Sequence, residues 1–270
     1  MPASFVIGGA ILVVVILAAL FGPIVAPFPY DQMDIMARMK PPDATHWLGT
    51  DEFGRDVLSR MLYGARLSLL MGLGATFVSL LIGVPLGLTA GYKGGGIDEA
   101  IMRAIDLVIS VPPILMGLLL LSLSTPNVWK TAFAVGIIYV PIMARLARAV
   151  TLEVAREEFV LAAQARGERL WYILAAEILP NAWPPIIVEA ALRVTFAIML
   201  GAALSFLGLG VQPPSSDWGL MIAEARPFID TAPWVALAPG VVLCITVIAV
   251  NLIGDGLREL LDPRLRRARA

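Results

Sequence analysis

Asp, Glu, Lys and Arg are distributed so unevenly that six long windows of this chain contain none of them. The windows are residues 1–30, 67–92, 107–129, 131–144, 194–216 and 231–254. The bilayer interior holds no water, so backbone polar groups there must pair within a helix. A span takes about 20 apolar residues, and five windows have that length. The window 131–144 is shorter, yet Lys130 and Arg148 flank it 18 residues apart, about 27 Å of helix at about 1.5 Å per residue. Both cations can snorkel to opposite surfaces of a core about 30 Å thick. The fifth span is expected to begin near Pro184, with Glu189 and Arg193 inside the helix. The predicted fold is therefore an all-α membrane protein with about six transmembrane helices.

Composition agrees: 59% of residues are hydrophobic and 15% charged, against about 45–50% and about 25% in soluble domains. A net charge of −1 gives no electrostatic case for nucleic acid, which leaves lipid as the expected surroundings. One cysteine, Cys244, excludes an internal disulfide, and one histidine, His46, excludes a His-rich metal site. His46 is expected to have a structural or solvent-facing role. The first apolar run lacks a basic leader, exceeds the usual 7–15 residues of a signal sequence and has no A-x-A site; it is expected to be a retained helix. Six spans put both termini on one side. Twelve Lys/Arg fall in residues 92–103, 144–182 and 256–270, and seven in 28–66, 125–132 and 209–233. The positive-inside rule then makes both termini cytoplasmic, with Arg264, Arg266, Arg267 and Arg269 as the clearest signal.

Two connecting segments carry information. Residues 28–66 open with helix breakers. From Asp56 onward, Val57, Leu58, Met61 and Leu62 fall at helical spacing, with Arg55, Ser59 and Arg60 on the other face. That pattern predicts a short amphipathic helix lying on the outer surface. In residues 150–182, two helix-competent stretches flank Gly167, a residue suited to end one helix and turn sharply into the next. Leu179-Pro180-Asn181 is expected to stop the second helix. The result is a cytoplasmic helix–turn–helix hairpin. It reads either as a docking element for another subunit or as a self-packed loop.

Ala162, Ala163, Gly167, Leu179 and Pro180 resemble the EAA loop of the membrane subunits of ATP-binding-cassette importers, although Leu161 stands where the general pattern has Glu. Leu48-Gly49-Thr50-Asp51 with Gly54-Arg55-Asp56-Val57-Leu58-Ser59-Arg60, the string from Leu204 to Pro214 with Trp218-Gly219, and Asn251-Leu252-Ile253-Gly254-Asp255-Gly256-Leu257-Arg258 with Leu261-Asp262-Pro263-Arg264 narrow the resemblance. They are similar to strings of the C-type permease subunits of dipeptide and oligopeptide importers. The resemblance implies a type I ABC importer permease fold, with an N-terminal helix and outer segment over 1–66 and a permease core over 67–270. It implies a bacterial or archaeal inner-membrane location, a homologous B-type permease as heterodimer partner, two cytoplasmic ATPase subunits and an extracytoplasmic solute-binding protein. It also implies that this chain is non-catalytic and carries no cofactor, ATP and magnesium belonging to the partner subunits. The hairpin, residues 157–181, would be the ATPase-docking element, with Phe159, Leu161, Ala162, Ala163, Gly167, Leu170, Trp171, Leu179 and Pro180 as its candidate residues. A nickel or metallophore importer carries nearly the same strings and is the runner-up. A self-sufficient secondary transporter, which calls for repeats and a midplane ion site, is a more distant one.

Charges inside a membrane cost about 2.5–3.5 kcal/mol each on insertion scales. Glu189 and Arg193 are spaced i,i+4 and can pair, either for mutual neutralisation or as a gating contact. Arg103 and Asp106 are expected to form an interfacial ion pair. Gly83, Gly87 and Gly91 form a double GxxxG that lets helix backbones approach closely. Pro85, Pro112-Pro113, Pro141 and Pro239 are expected to kink or interrupt their helices. Neither a G-x-x-x-x-G-K-[ST] loop nor a G-x-S-x-G elbow occurs; Gly94-Gly95-Gly96 reads as a flexible turn.

Overall fold

The computed structural model describes residues 2–122 and 125–261. Regular structure among them is helical, apart from an isolated antiparallel bridge between Thr50 and Asp56. The helices are α1 (Ala3–Val25), α2 (Val57–Lys93), α3 (Gly95–Ile109), α4 (Pro113–Ser122), α5 (Val128–Val154), α6 (Glu158–Ala165), α7 (Leu170–Tyr172), α8 (Leu179–Phe206), α9 (Trp218–Ala225) and α10 (Pro233–Leu261). A π-helical stretch, Ile173–Ile178, joins α7 to α8, so Leu170–Phe206 is one 37-residue helix. That helix, α1, α2, α5 and α10 are long and apolar enough to cross a membrane. The pair α3 and α4 reaches that criterion only together, bent by 87° at its break.

The glycine stripe of α2 fixes the centre of the fold. A Cβ at Gly83 would lie 2.8 Å from Met143 Cβ, one at Gly87 2.2 Å from the Ala144 carbonyl, and one at Gly91 2.8 Å from Thr151 Cβ. Residue numbers rise together along both helices, so α2 and α5 run parallel with an offset of about sixty residues. They form the most extensive helix contact among the described residues. Ile178 of the π-helical stretch and Ile186 of α8 pack near Val84 and Leu88, while Gly201 meets Met71, so α8 is antiparallel to α2. Gly8 abuts Leu252 and Gly256 abuts Phe5, which makes α1 antiparallel to α10. The start of α1 and the ends of α2, α5 and α10 therefore gather at the end of the bundle that bears α6. Residues 28–56, the end of α8 and α9 gather at the other. Arg264, Arg266, Arg267 and Arg269, with Asp262 and Pro263, lie outside the described residues.

Several sequence expectations need correction. The third apolar window does not form a straight span: the helix begins at Gly95 and breaks at Pro112-Pro113, where ring geometry and missing amides end it. Pro180 does not stop its helix. The π-helical stretch just before it resets the hydrogen-bond ladder, so Pro180 sits in the first turn of α8, where no amide donor is needed. The fifth span starts at the hairpin rather than near Pro184 and ends at Phe206 rather than at Ser216. The separate surface helix expected after Asp56 is the first turns of α2. Its polar face is turned inward: Arg55, Ser59 and Arg60 are all fully buried.

Candidate functional site

The hairpin is built by local rules. Glu157 is extended and α6 starts behind it. At the other end of α6, Gly167 adopts φ +73°, and its amide donates to the Gln164 carbonyl at 2.9 Å. The Glu168 amide donates to the Ala163 carbonyl at 3.2 Å. This is a Schellman cap, which requires a left-handed residue at the glycine position. Val160 and Ala163 are fully buried against Ile173, Leu174 and Ile178, which fixes the angle between α6 and the helix beginning at Leu170. Arg166 braces the turn, reaching both Glu168 and Glu177 at 3.5 Å.

That packing splits the candidate docking residues. Ala163 lies inside the hairpin, and Leu170 and Leu179 are half-buried. Phe159, Leu161, Ala162, Trp171 and Pro180 face outward, Trp171 with 70% of its surface exposed. Tyr172, which the sequence reading missed, joins them at 47%; its position beside Trp171 was the available signal. Gly167 itself has open space where a side chain would be. The hairpin thus presents an exposed apolar and aromatic surface at one end of the bundle.

At the opposite end lies a buried polar core that the sequence reading did not foresee. Asp51 Oδ2 accepts hydrogen bonds from Arg55 Nε and Arg60 Nη1, both at 2.6 Å. Arg55 and Arg60 also reach Glu224 of α9, at 3.2 and 2.6 Å. Asp56 caps α2 by accepting from the Ser59 amide at 2.8 Å and stands 2.9 Å from His46 Nδ1, so His46 is structural. Asp217 caps α9 through the Leu220 amide at 2.9 Å and accepts from Ser205 Oγ at 2.8 Å. Burial raises the Asp217 carboxyl above the ordinary range, against the pull of those hydrogen bonds. Burial likewise raises Glu52, whose Oε2 is buried without a hydrogen bond. Trp218 is completely buried, its indole donating to the Met61 carbonyl at 3.1 Å. The network thus pins α9 and the segment from His46 to Asp56 to the start of α2.

Within the bundle, Arg193 Nη2 lies 2.8 Å from Glu189 Oε1, the expected pair. Its guanidinium stands over the rings of Phe196 at 4.7 Å and Tyr139 at 5.5 Å. The expected pairing of Arg103 with Asp106 does not form. Arg103 instead meets Glu99 one turn back at 2.5 Å, and Asp106 reaches across to Arg145 of α5 at 2.5 Å. Glu99, four residues before Arg103 on α3, and Arg145 on α5 take the two charges instead. No cluster of three or more His, Cys, Asp or Glu among the described residues could hold a metal ion.

Long apolar helices, a glycine-packed parallel pair and a helical hairpin at one end describe a multi-span integral membrane protein. Residues 83–267 match the family described as binding-protein-dependent transport system inner membrane component. Residues 4–42 match the N-terminal transmembrane domain of oligopeptide transport permease C. The dipeptide transport system permease protein DppC of Alkalihalophilus pseudofirmus is 42% identical over 261 residues, covering 97% of this chain and 86% of that protein. The di/tripeptide permease DppC of Pseudomonas aeruginosa is 39% identical, covering 97% and 89%. The oligopeptide permease OppC of Bacillus subtilis is 39% identical, covering 97% and 86%. A chain of the inward-facing MetNI methionine ABC transporter shares the fold, with a TM-score of 0.63 at 17% identity over 75% of this chain and 96% of that one. The chain belongs to the family of inner membrane components of binding-protein-dependent transport systems.

Proposed function

We propose that this chain is the C-type permease subunit of an ATP-driven importer of dipeptides or oligopeptides. It forms half of the translocation pathway beside a homologous second permease. The hairpin lies in the cytoplasm and seats in a groove of an ATPase subunit, ATP and magnesium being held by two such subunits. Both termini are then cytoplasmic, and the outer segment with α9 faces the solute-binding protein. The observation that carries this reading is that the peptide-permease relatives span 97% of the chain, with the family match over residues 83–267. The outward Phe159, Leu161, Trp171 and Tyr172 support it, because the chain itself leaves them uncovered.

Closure of the ATPases would displace α6, and the Schellman cap with its buried Val160 and Ala163 makes the hairpin a rigid lever onto the start of α8. Alternating access needs a ligand or nucleotide that binds the two states with different affinity; here that ligand is ATP on the partners. The test is purification of the tagged chain from native membranes in mild detergent, followed by reconstitution. The expected result is retention of a second permease and ATPases, with peptide uptake that requires ATP. Leu161→Asp with Trp171→Asp should release the ATPases while the two permeases stay together. Recovery of the chain alone, still active without ATP, overturns the reading.

A further inference from the structure

Arg193 sits at mid-depth. Tyr139, whose ring lies beside its guanidinium, stands level with residues near 79 of α2 in the parallel register. That level is the middle of the charge-free run 67–92. A charge at this depth turns away from lipid, toward protein or a water-filled path. One face of α8, with Ala197, Ile198 and Gly201, is buried against α2 and α5. The opposite side, with Phe196 and Met199, is uncovered, both being more than 40% exposed. In a pathway formed between two permease chains, as proposed above, that second face is a wall.

The ion pair on this wall is incompletely used. Arg193 Nη2 stands 2.8 Å from Glu189 Oε1 as an ion pair, and the Arg193 Nε is buried without a hydrogen bond. Phe196 and Tyr139 hold the guanidinium from their ring faces, leaving its edge for a planar anion. Glu189 also lines a cavity of about 350 Å³ between α8 and α10, together with Pro184, Val188, Leu192 and Arg258. A guanidinium fork and a carboxylate side by side match the two ends of an unblocked peptide. The geometry points to a substrate station: Arg193 takes the peptide carboxylate while Glu189, released from Arg193, takes the peptide ammonium. The exchange replaces one neutral ion pair by two, so no net charge enters the membrane interior at any stage. This explains why a pair that could simply be two apolar residues is kept inside the bundle, at the edge of that wall. The inference rests on the peptide-importer reading.

The test uses the full complex in nanodiscs without the binding protein. A radiolabelled dipeptide is competed with the same peptide unlabelled, as its C-terminal amide and as its N-acetyl form. Each blocked form is expected to compete about tenfold more weakly or worse, because a site built for a polar group rejects an analogue lacking it. Arg193→Gln should erase the difference for the amide alone, and Glu189→Gln the difference for the acetyl form alone. Arg193→Lys, which keeps the charge without the fork, should give an intermediate ratio and stands in if Arg193→Gln fails to assemble. Equal competition by all three ligands, ratios that the variants leave unmoved, or the absence of saturable binding would each overturn the station. Failure of the peptide-importer reading is seen separately, as no ATP-dependent peptide uptake by the wild-type complex once the binding protein is restored.

Discussion

Asp51→Ala tests the buried outer network directly. Asp51 is completely buried. Its Oδ1 accepts from the amides of Phe53 at 2.8 Å and Arg55 at 2.9 Å, and its Oδ2 accepts from Arg55 Nε and Arg60 Nη1, both at 2.6 Å. Alanine removes all four acceptor contacts. It leaves two guanidiniums, each 1% exposed, sharing Glu224, which is 14% exposed, with Glu52 at 3.6 Å from Arg55 as the remaining carboxylate. Stripping one partner from a buried ion pair costs about 3–5 kcal/mol, or about two to three and a half powers of ten in the folded-to-unfolded ratio. At about 2–4 °C per kcal/mol for a chain of this size, the midpoint should fall by about 6–20 °C. The comparison is Glu99→Ala, which removes an exposed pair with Arg103 worth about 0–1 kcal/mol. Asp51→Asn keeps an acceptor for the two amides and should fall between them. The assay is a thermal ramp in detergent, scored by the monodisperse fraction on gel filtration. If Asp51→Ala melts with Glu99→Ala, the network does not bear the energy assigned to it.

Gly87→Ala should destabilise the α2–α5 seam by about 1–3 kcal/mol, because its Cβ would stand 2.2 Å from a backbone carbonyl that cannot yield. Gly96→Ala, which meets nothing within 4 Å, should leave the midpoint unchanged in the same ramp. Gly167→Val should cost about 1–2 kcal/mol from the left-handed backbone alone, whereas Gly167→Asn should be nearly neutral; equal midpoints for the two would contradict the cap. Gly167→Trp should lower peptide uptake in proteoliposomes while membrane insertion persists, since the space at that position is open within this chain. For Asp217, burial places the folded carboxyl above its unfolded value, so between those values the folded state holds a proton the unfolded state has released. Stability therefore falls as pH rises through that window and is greatest below it. Asp217→Asn keeps the Leu220 cap but cannot titrate, and its midpoint should depend less on pH across the same range.

The spans were legible because charge exclusion is a one-dimensional signal. The seam of Gly83, Gly87 and Gly91 was legible too, since small residues at a spacing of four lie on one helix face. Gly167 announced its turn by residue type. The inward turn of Arg55 and Arg60 was invisible to periodicity, because Glu224 lies 164 residues beyond Arg60 and no local pattern encodes it. An arginine reads as surface until its carboxylate is found. Pro180 misled for a different reason: the rule that proline ends a helix assumes an unbroken α ladder, and the π-helical stretch had already broken it. Arg103 and Asp106 satisfied a spacing rule, yet Glu99 and Arg145 were better placed.

The parallel pairing of α2 with α5 also sets an order for biosynthesis. Met143, Ala147 and Thr151, which the glycine stripe of α2 needs, are translated about sixty residues later. At about 5–20 residues per second that is about 3–12 s during which α2 waits in the membrane beside the nascent chain. Over that interval α3 and α4 are the helices made between the stripe and its partner. The 87° break between them makes them two short helices rather than one rigid span.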